Sequence, residues 1–511
     1  MRISRLVKIV SPLAVMGMLS SAPAVLAASE GAPSGAASLE SLLSASATPA
    51  FSRILWVSPS GQDTAAGTEA TPYRTVAKAL SQVKPGEAIY LKSGTYSERM
   101  KLEEKGGTSS LPLTLKAAPG AKPVFKGGTG SRTPMLDVRG AYWSVEGLTF
   151  DAAGDKAFVA FWRGEGAHHG VLRGCTLKNG TEGAGVYVAQ KARDILIEGN
   201  TISHFNRAGD DSHGVCVQTN SKNVTVRAND IHHNSGDGVQ CLGPEGGATE
   251  AGTPFDNLLV EGNDLHENQE NGADIKTCTR VTLRGNRIWG HRRTPSSAGE
   301  GVVVHMSARD VTLEDNEVRD NGRGIQIGGV REGAPPTRIV VRRNRVFNGY
   351  GGETNDGSAI RVDTAIDVKV DHNTVWNMPA YGVIVGNSET GPSQGVRVRN
   401  NLLGACSVAA VRLGTAIQDT SFDGNLYTST KGAAVLRRGS SSLNFTAWRS
   451  ATGWDARGME QTPSFLGSSS SVAAEDFWLA PTSPGLNAGV SVGDTHCGKG
   501  PDIGARESDC S

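Results

Sequence analysis

Little in this 511-residue chain is aromatic: Phe, Trp and Tyr together make up 5% of it. Net charge is missing too, with 51 Lys and Arg set against 51 Asp and Glu. The first scarcity argues against the thick layers of a compact α/β enzyme. The second removes the basic surplus with which nucleic-acid binders displace counterions. Beyond residue 28 no stretch approaches the ~18 apolar residues of a membrane helix. A phosphate-binding glycine loop, a nucleophile elbow and a His-Glu-x-x-His helix are also absent. What is abundant is glycine, at 65 of 511 residues, nearly twice its usual share of roughly 7%. Much glycine and few aromatics suggest tight turns and thin layers. At 38% hydrophobic the chain is still too apolar to be disordered.

Residues 1–28 read as a cleaved signal peptide. Arg2, Arg5 and Lys8 precede an apolar run from Ile9 to Leu26, which ends in small residues suited to a signal peptidase. Ser11, Pro12, Ser20, Ser21 and Pro23 interrupt the run and argue against a membrane anchor. Residues 29–52, rich in Ala, Ser, Gly and Pro, read as a flexible linker. The expected mature protein is a secreted monomer, extracellular or periplasmic, with no membrane span. Its seven cysteines (175, 216, 241, 278, 406, 497, 510) all lie in the exported part, where an oxidising compartment permits pairing. Cys497 and Cys510 bracket a glycine-rich tail and are expected to pair. The spacings of the other five match no zinc motif, and most are expected to be buried thiols.

An internal repeat sets the architecture. A short alternating strand followed by Asn recurs as ILIEGNTI (195–202), VTVRANDI (224–231), LLVEGNDL (258–265), VTLRGNRI (281–288) and VTLEDNEV (311–318). It continues as IVVRRNRV (339–346), VKVDHNTV (368–375) and VRVRNNLL (396–403). The asparagines at 200, 229, 263, 286, 316, 344, 373 and 401 are spaced by 29, 34, 23, 30, 28, 29 and 28 residues. Between them recurs a second element, Gly-apolar-x-apolar-x, as in GVYVA (185–189), GADIK (272–276) and GVVVH (301–305). Strands this short cannot bury their own apolar faces, so they must stack on copies of themselves. The expected fold is all-β, a right-handed parallel β-helix over 131–430, with the asparagines in a hydrogen-bonded ladder. Residues 53–130 should hold the N-terminal cap and first rungs. Thr71-Pro72 would start a short capping helix whose apolar face is Val76, Ala79, Leu80 and Val83. Residues 431–511 lose the repeat and should form a cover or irregular tail.

Two segments carry a family resemblance. GTEATPYRTVAKAL (67–80) with KPGEAIYLKSGTYSE (84–98), and the closing SPGLNAG (483–489) with PDIGARE (501–507), resemble secreted β-helix proteins of the pectate lyase L and chondroitinase B types. The resemblance implies a pectate-lyase-like fold. The superfamily also holds hydrolases, epimerases and non-catalytic adhesins, so the fold alone does not give the function.

In the Gly-apolar-x-apolar-x element the x positions face outward, and stacking builds columns of them. One column is Tyr187, Cys216, Gln240, Asp274, Val303, Gln326 and Arg361. Its neighbour includes Lys276, His305 and Asp363. Near the middle, Asp211, Asp237, Glu270 and Asp274 form an acidic group suited to Ca²⁺. Lys276 and His305 lie beside them, with Asn271, Glu300, Arg323, Gln326 and Arg361 as substrate contacts. Residues 201–275 hold twelve acids and three bases (−9), whereas 280–345 hold thirteen arginines and seven acids (+6). This polarity suits an acidic polysaccharide lying along the solenoid.

The chemistry these residues suggest is β-elimination on a uronic-acid polysaccharide. Ca²⁺ would neutralise the uronate, and Lys276, its pKa depressed by neighbouring cations, would remove the C5 proton. His305 is the alternative base, or the acid for the leaving oxygen. The resemblance implies the same order: chondroitinase-B-type lyases place acidic Ca²⁺ ligands a few residues before a catalytic Lys and a basic partner one rung later. That partner is usually Arg; here it is His305. Rival readings are a glycoside hydrolase using Asp237 and Asp274, a C5-epimerase, or a non-catalytic carbohydrate-binding solenoid. His232 and His266 fall at matching repeat positions followed by Trp289. They read as a structural column, with a metal pair as the alternative.

Overall fold

The computed structural model describes residues 51–103, 106–244, 250–329, 333–351, 357–387, 391–428, 436–466 and 477–508. The segments expected to be signal peptide (1–28) and, but for its last two residues, linker (29–52) lie outside these residues, as does Cys510. The described chain winds into a right-handed parallel β-helix. Its strands stack into three sheets of 15, 14 and 14 strands, and each coil contributes one strand to each sheet. A typical coil is Arg193–Glu198, Thr201–Ser203 and Ser212–Val217. Inward positions carry the Val, Ile and Leu of a continuous core, such as Ile195, Val224, Leu258, Val281, Val311 and Ile339, all at most 1% exposed. Period-2 alternation with β-branched residues makes the strands. Stacking in register supplies the burial that no single coil can achieve.

The asparagine ladder forms as the repeat requires, and it has a direction. Asn200 Nδ2 donates to Asn229 Oδ1 at 2.9 Å, and the same bond repeats to Asn263, Asn286, Asn316, Asn344, Asn373 and Asn401 at 2.9–3.0 Å. It runs two steps beyond the recognised repeat, to Asn425 and then Asp455 Oδ1, each at 3.0 Å. Asp455 only accepts, and it also receives Tyr427 Oη–H at 2.7 Å and Trp448 Nε1–H at 3.0 Å. A carboxylate therefore ends a chain that every amide passes on.

The residue before each ladder asparagine bends the chain through the left-handed region. Gly199, Gly262 and Gly285 do so at φ 63°, 60° and 62°, but Ala228 adopts φ 52° in the same place. A Cβ in this region costs about 1 kcal/mol, while glycine loses more freedom on folding. Ala228→Gly is therefore expected to stabilise the fold by about 0.5 kcal/mol, read as a higher urea midpoint with an unchanged slope.

The N-terminal helix, α1 (Val76–Gln82), starts four residues later than expected. Thr75, not Thr71, is its N-cap, and Thr75 Oγ1 accepts from the Lys78 amide. Tertiary contacts set this start: Asp63 accepts the Arg74 and Thr75 amides, and Glu98 accepts those of Val76 and Ala77. Val76, Ala79 and Val83 are buried as the pattern required. At the other end a helix the sequence reading did not foresee, α2 (Phe445–Thr452), puts Phe445 and Trp448 into the core. The tail then runs back along the solenoid: Leu479 and Ile503 pack on Leu402 and Leu426, and Ala505 N–H donates to Thr374 Oγ1.

Cys241 and Cys278 form a disulfide across 37 residues, a bridge not expected from the sequence. It ties adjacent coils inside the core. Cys175 and Cys216 are buried free thiols, and Cys406 is a partly buried one. Cys497 is disulfide-bonded, but its expected partner Cys510 falls outside the described residues. No helix among the described residues is long and apolar enough to cross a membrane.

Candidate active site

The sheet containing Ser212–Val217, Val239–Cys241, Ala273–Lys276, Glu300–His305, Arg323–Gly328 and Ile360–Asp363 carries the outward columns in the expected register. Cys216 pairs with Gln240, Gln240 with Asp274, Asp274 with Val303, Val303 with Gln326 and Gln326 with Arg361. Lys276 pairs with His305. These strands floor a groove of about 530 Å³ lined by Asp211, Glu270, Asn271, Asp274, Lys276, Glu300, His305, Arg323, Gln326 and Arg361. Every side chain assigned a role from sequence therefore meets in one place, except Asp237. The Cys241–Cys278 bridge joins the coil carrying Lys276 to the one before it.

At the centre, one carboxylate holds two bases. Asp274 Oδ2 lies 3.0 Å from Lys276 Nζ, and Asp274 Oδ1 accepts from His305 Nε2 at 2.7 Å. Burial opposes the charge on Asp274, but His305 and Lys276 outweigh it and hold the carboxyl well below its usual range. Burial likewise opposes the ammonium of Lys276. Asp274, Asp237 and Glu270 outweigh that and hold it well above the ordinary lysine value. This reverses the expectation of a depressed lysine: its neighbours in the resting protein are anions. Lys276 is the more accessible of the two bases, with 20% of its side chain exposed against 10% for His305. His305 Nδ1 is buried without a hydrogen-bond partner.

The acids expected to bind metal divide into two kinds. Asp237 lies beneath the groove and is fully buried. Its oxygens accept from Asn271 Nδ2 at 2.8 Å and Gln240 Nε2 at 2.9 Å, and its backbone amide donates to His213 Nδ1 at 2.9 Å. Asp237 and Asp274 are thus committed to protein partners. Asp211 and Glu270 line the groove, where Glu270 accepts a hydrogen bond from Ser296 and Asp211 feels the charge of His213. Burial, together with Asp237 and Asp211, pushes the Glu270 carboxyl up to about 7. Burial also raises Asp211, against the pull of His213. Side chains of this kind whose donor atoms lie within 4.8 Å of one another form two groups among the described residues, and neither contains these acids. The expected quartet is therefore not assembled as a cage. Asp211 and Glu270 alone keep donor chemistry suited to Ca²⁺, with a proton on Glu270 that a cation would displace.

The expected substrate contacts are themselves held in place. Asn271 Oδ1 accepts from the Glu300 amide at 3.1 Å and Ser297 Oγ at 3.0 Å, which spends its amide on the turn before Glu300. Arg323 Nη1 donates to Glu300 Oε1 at 3.0 Å, and Arg361 pairs with Asp363. Gln326 donates to Gly328 O at 3.1 Å and leaves its buried Oε1 without a partner. The groove thus runs from acids at Asp211 and Glu270 to guanidinium groups at Arg323 and Arg361. Most arginines of 280–345 serve elsewhere, in pairs such as Arg284–Glu261, Arg287–Asp264 and Arg342–Glu314, so the charge bias along the chain pointed largely at other faces. Ser296 and Ser297 also line the groove and were missed, because they sit in a loop outside the repeat. Asp363 stood in the expected outward column but was given no role.

The fold and this groove define a right-handed parallel β-helix of the pectate-lyase-like kind. The chain belongs to the Pel9A-like right-handed β-helix family, whose model matches residues 55–355, and a general right-handed β-helix model matches 296–449. It is 24% identical over 311 residues to the uncharacterized protein YwoF of Bacillus subtilis, covering 58% of this chain and 62% of that one. It is 37% identical over 81 residues to pectate lyase PEL9 of Emericella nidulans, covering 16% and 20%. The chain thus spans less than two thirds of either curated relative. A crystal structure of pectate lyase Pel9A aligns with 90% of this chain and 97% of its own, at 17% identity and a TM-score of 0.42.

Proposed function

We propose that this protein is a secreted, Ca²⁺-assisted polysaccharide lyase that cleaves a uronic-acid-containing chain by β-elimination. The observation that carries this reading is the Lys276–Asp274–His305 cluster, set between the acids Asp211 and Glu270 and the cations Arg323 and Arg361. Ca²⁺ held by Asp211 and Glu270 would neutralise the uronate and make its C5 proton acidic. Arg323 and Arg361 orient the polyanion through its other carboxylates. Lys276 removes the C5 proton as a free amine, so it must first lose the proton that Asp274 favours. Asp274 also holds the His305 ring against the same centre, where it serves as the acid for the leaving oxygen. The hydrolase reading loses support, because Asp237 lies beneath the groove and Asp274 is spent on two bases. Export is supported by the basic, apolar N-terminus together with the Cys241–Cys278 disulfide.

The test is incubation with pectate, alginate, chondroitin and heparin-type chains, with Ca²⁺ or chelator, followed by ultraviolet absorbance of unsaturated uronate ends. A Ca²⁺-dependent rise on one substrate supports the lyase. New reducing ends without that absorbance would replace it with a hydrolase, and C5 inversion without cleavage with an epimerase.

Glu270 adds a pH dependence. Its folded carboxyl titrates near 7, above its unfolded value of about 4.3, so the folded state binds the extra proton between these values. Stability from this group is therefore present at low pH and lost as pH rises towards 7. Ca²⁺ needs the ionised form, so its affinity should rise over the same interval. Calorimetry at pH 6 in buffers of different ionisation enthalpy should show proton release on Ca²⁺ binding. Glu270→Gln should reduce that release, leaving only what Asp211 contributes; an unchanged release in the variant would rule out Glu270 as its source.

A further inference from the structure

A second cluster lies on another sheet of the solenoid and plays no part in the groove. Asp230–His232, Asp264–His266 and Arg287–Trp289 are successive strands there, with His232 in register with His266 and His266 with Trp289. The rings stack: His232 on His266 at 4.8 Å and 12°, and His266 on Trp289 at 4.4 Å and 1°. Stacking alone would make this a structural column.

The polar edges of the rings point to more. His266 Nδ1 lies 3.1 Å from Glu267 Oε2, and His232 Nδ1 lies 2.7 Å from His233 Nδ1. These contacts occupy one nitrogen of each ring and leave Nε2 for another partner. His266 Nε2 turns to Asp230 Oδ1 at 2.9 Å. The equivalent acid one coil later, Asp264, is instead taken up by Arg287 at 2.6 Å and Trp289 Nε1 at 2.7 Å. Donor atoms of Asp230, His232 and His266 all lie within 4.8 Å of one another. A carboxylate that accepts the far N–H of a ligating histidine is the usual support of a zinc-type site, because it fixes the tautomer and raises the basicity of the ring.

We propose that Asp230, His232 and His266 bind a borderline divalent transition metal of the Zn²⁺ class, with Glu267 as the positioning carboxylate behind His266. Two imidazoles and one carboxylate favour such an ion over Ca²⁺, which prefers oxygen alone. The ion takes the place of the proton between His266 Nε2 and Asp230 Oδ1, that proton leaves to solvent, and the His232 ring turns out of its parallel stack on His266, because an imidazole ligates only through the lone pair in its own plane. Three protein ligands leave a fourth position for water. Because the ligands come from two adjacent strands, the ion ties one coil to the next. A second group, His233, His266 and Glu267, also meets the 4.8 Å limit. It shares His266 and draws on residues just past the strand ends, so one ion is expected.

The experiment is a titration of the full chain, stripped with chelator and kept in saturating Ca²⁺ to occupy the groove acids. ZnCl₂ is followed by calorimetry and CoCl₂ by its visible absorption. One ion is expected, with a dissociation constant of about 1 µM or tighter. His266→Ala and His232→Gln should each weaken it by about 100-fold, and Glu267→Gln by about 10-fold. Zn²⁺ should raise the melting temperature of the wild type and not of His266→Ala, with circular dichroism confirming that each variant folds. Binding weaker than about 1 mM, or binding that both histidine variants retain at full strength, overturns the proposal. Neither result bears on the lyase reading, since the groove residues are untouched.

Discussion

Lys276→Ala is expected to lower β-elimination on the responsive polysaccharide by about 1000-fold, the middle of the range for a lost general base. Ca²⁺ binding should persist, because Asp211 and Glu270 remain, while the melting temperature should fall, because the buried Asp274 carboxylate loses one of its two cationic partners. Lys276→Arg should be no better, since a guanidinium cannot shed its proton near neutral pH. The rate of the wild type carries a second signature. Asp274, Asp237 and Glu270 hold Lys276 protonated, and only the free amine accepts a proton. The rate should therefore climb with pH above neutrality, about tenfold per unit while the amine is the minor form. Asp274→Asn removes the nearest anion, so its limb should move to lower pH even as the maximum rate falls with the loss of the His305 anchor. Full activity in Lys276→Ala would place the base elsewhere. An unmoved limb in Asp274→Asn would show that the pair does not govern the titration.

The columns that meet at this site were legible because the register of a solenoid is rigid. Once Gly-apolar-x-apolar-x is aligned on its glycine, each outward residue is assigned to a neighbour about 4.8 Å away, and Lys276 over His305 follows without further information. Depth was not legible. Asp237 occupies the same position in the pattern as His213 and Asn271, yet it turns under the groove to bind Asn271 and Gln240. Charge state was not legible either. The lysine looked like a base among cations, but the anions closest to it, Asp274 and Glu270 on its own coil and Asp237 on the coil before, outweigh them. The Cys241–Cys278 bridge was hidden because its 37-residue separation is one full coil of uneven length, which no cysteine spacing motif marks. Asn425 and Asp455 continue the ladder where the alternation is broken by SFDGNLY and by α2, so the architecture outlasts its pattern.

That ladder is where a single change should damage the fold most. Asn316 Oδ1 accepts the amide N–H and Nδ2–H of Asn286, and its own Nδ2 donates to Leu283 O and Asn344 Oδ1. The side chain is 1% exposed, so water cannot replace these bonds. Asn316→Leu keeps the volume but strands the Asn286 amide and the Leu283 carbonyl inside the core. At about 1–3 kcal/mol for each buried orphan, the expected loss is about 3 kcal/mol, read as a lower urea midpoint. Asn316→Asp separates acceptance from donation. It can still receive Asn286, but its second oxygen faces Leu283 O and Asn344 Oδ1 with no hydrogen to offer. The same side chain is tolerated at Asp455 because everything there donates to it: Asn425, Tyr427 and Trp448. Burial and opposing oxygens should raise the folded pKa of the introduced carboxyl, so the protonated form is favoured on folding. Stability of Asn316→Asp should accordingly recover as pH falls from 7 to 5, whereas the loss in Asn316→Leu should not depend on pH. Equal midpoints for the two variants at both pH values would mean that the direction of the ladder contributes nothing to stability.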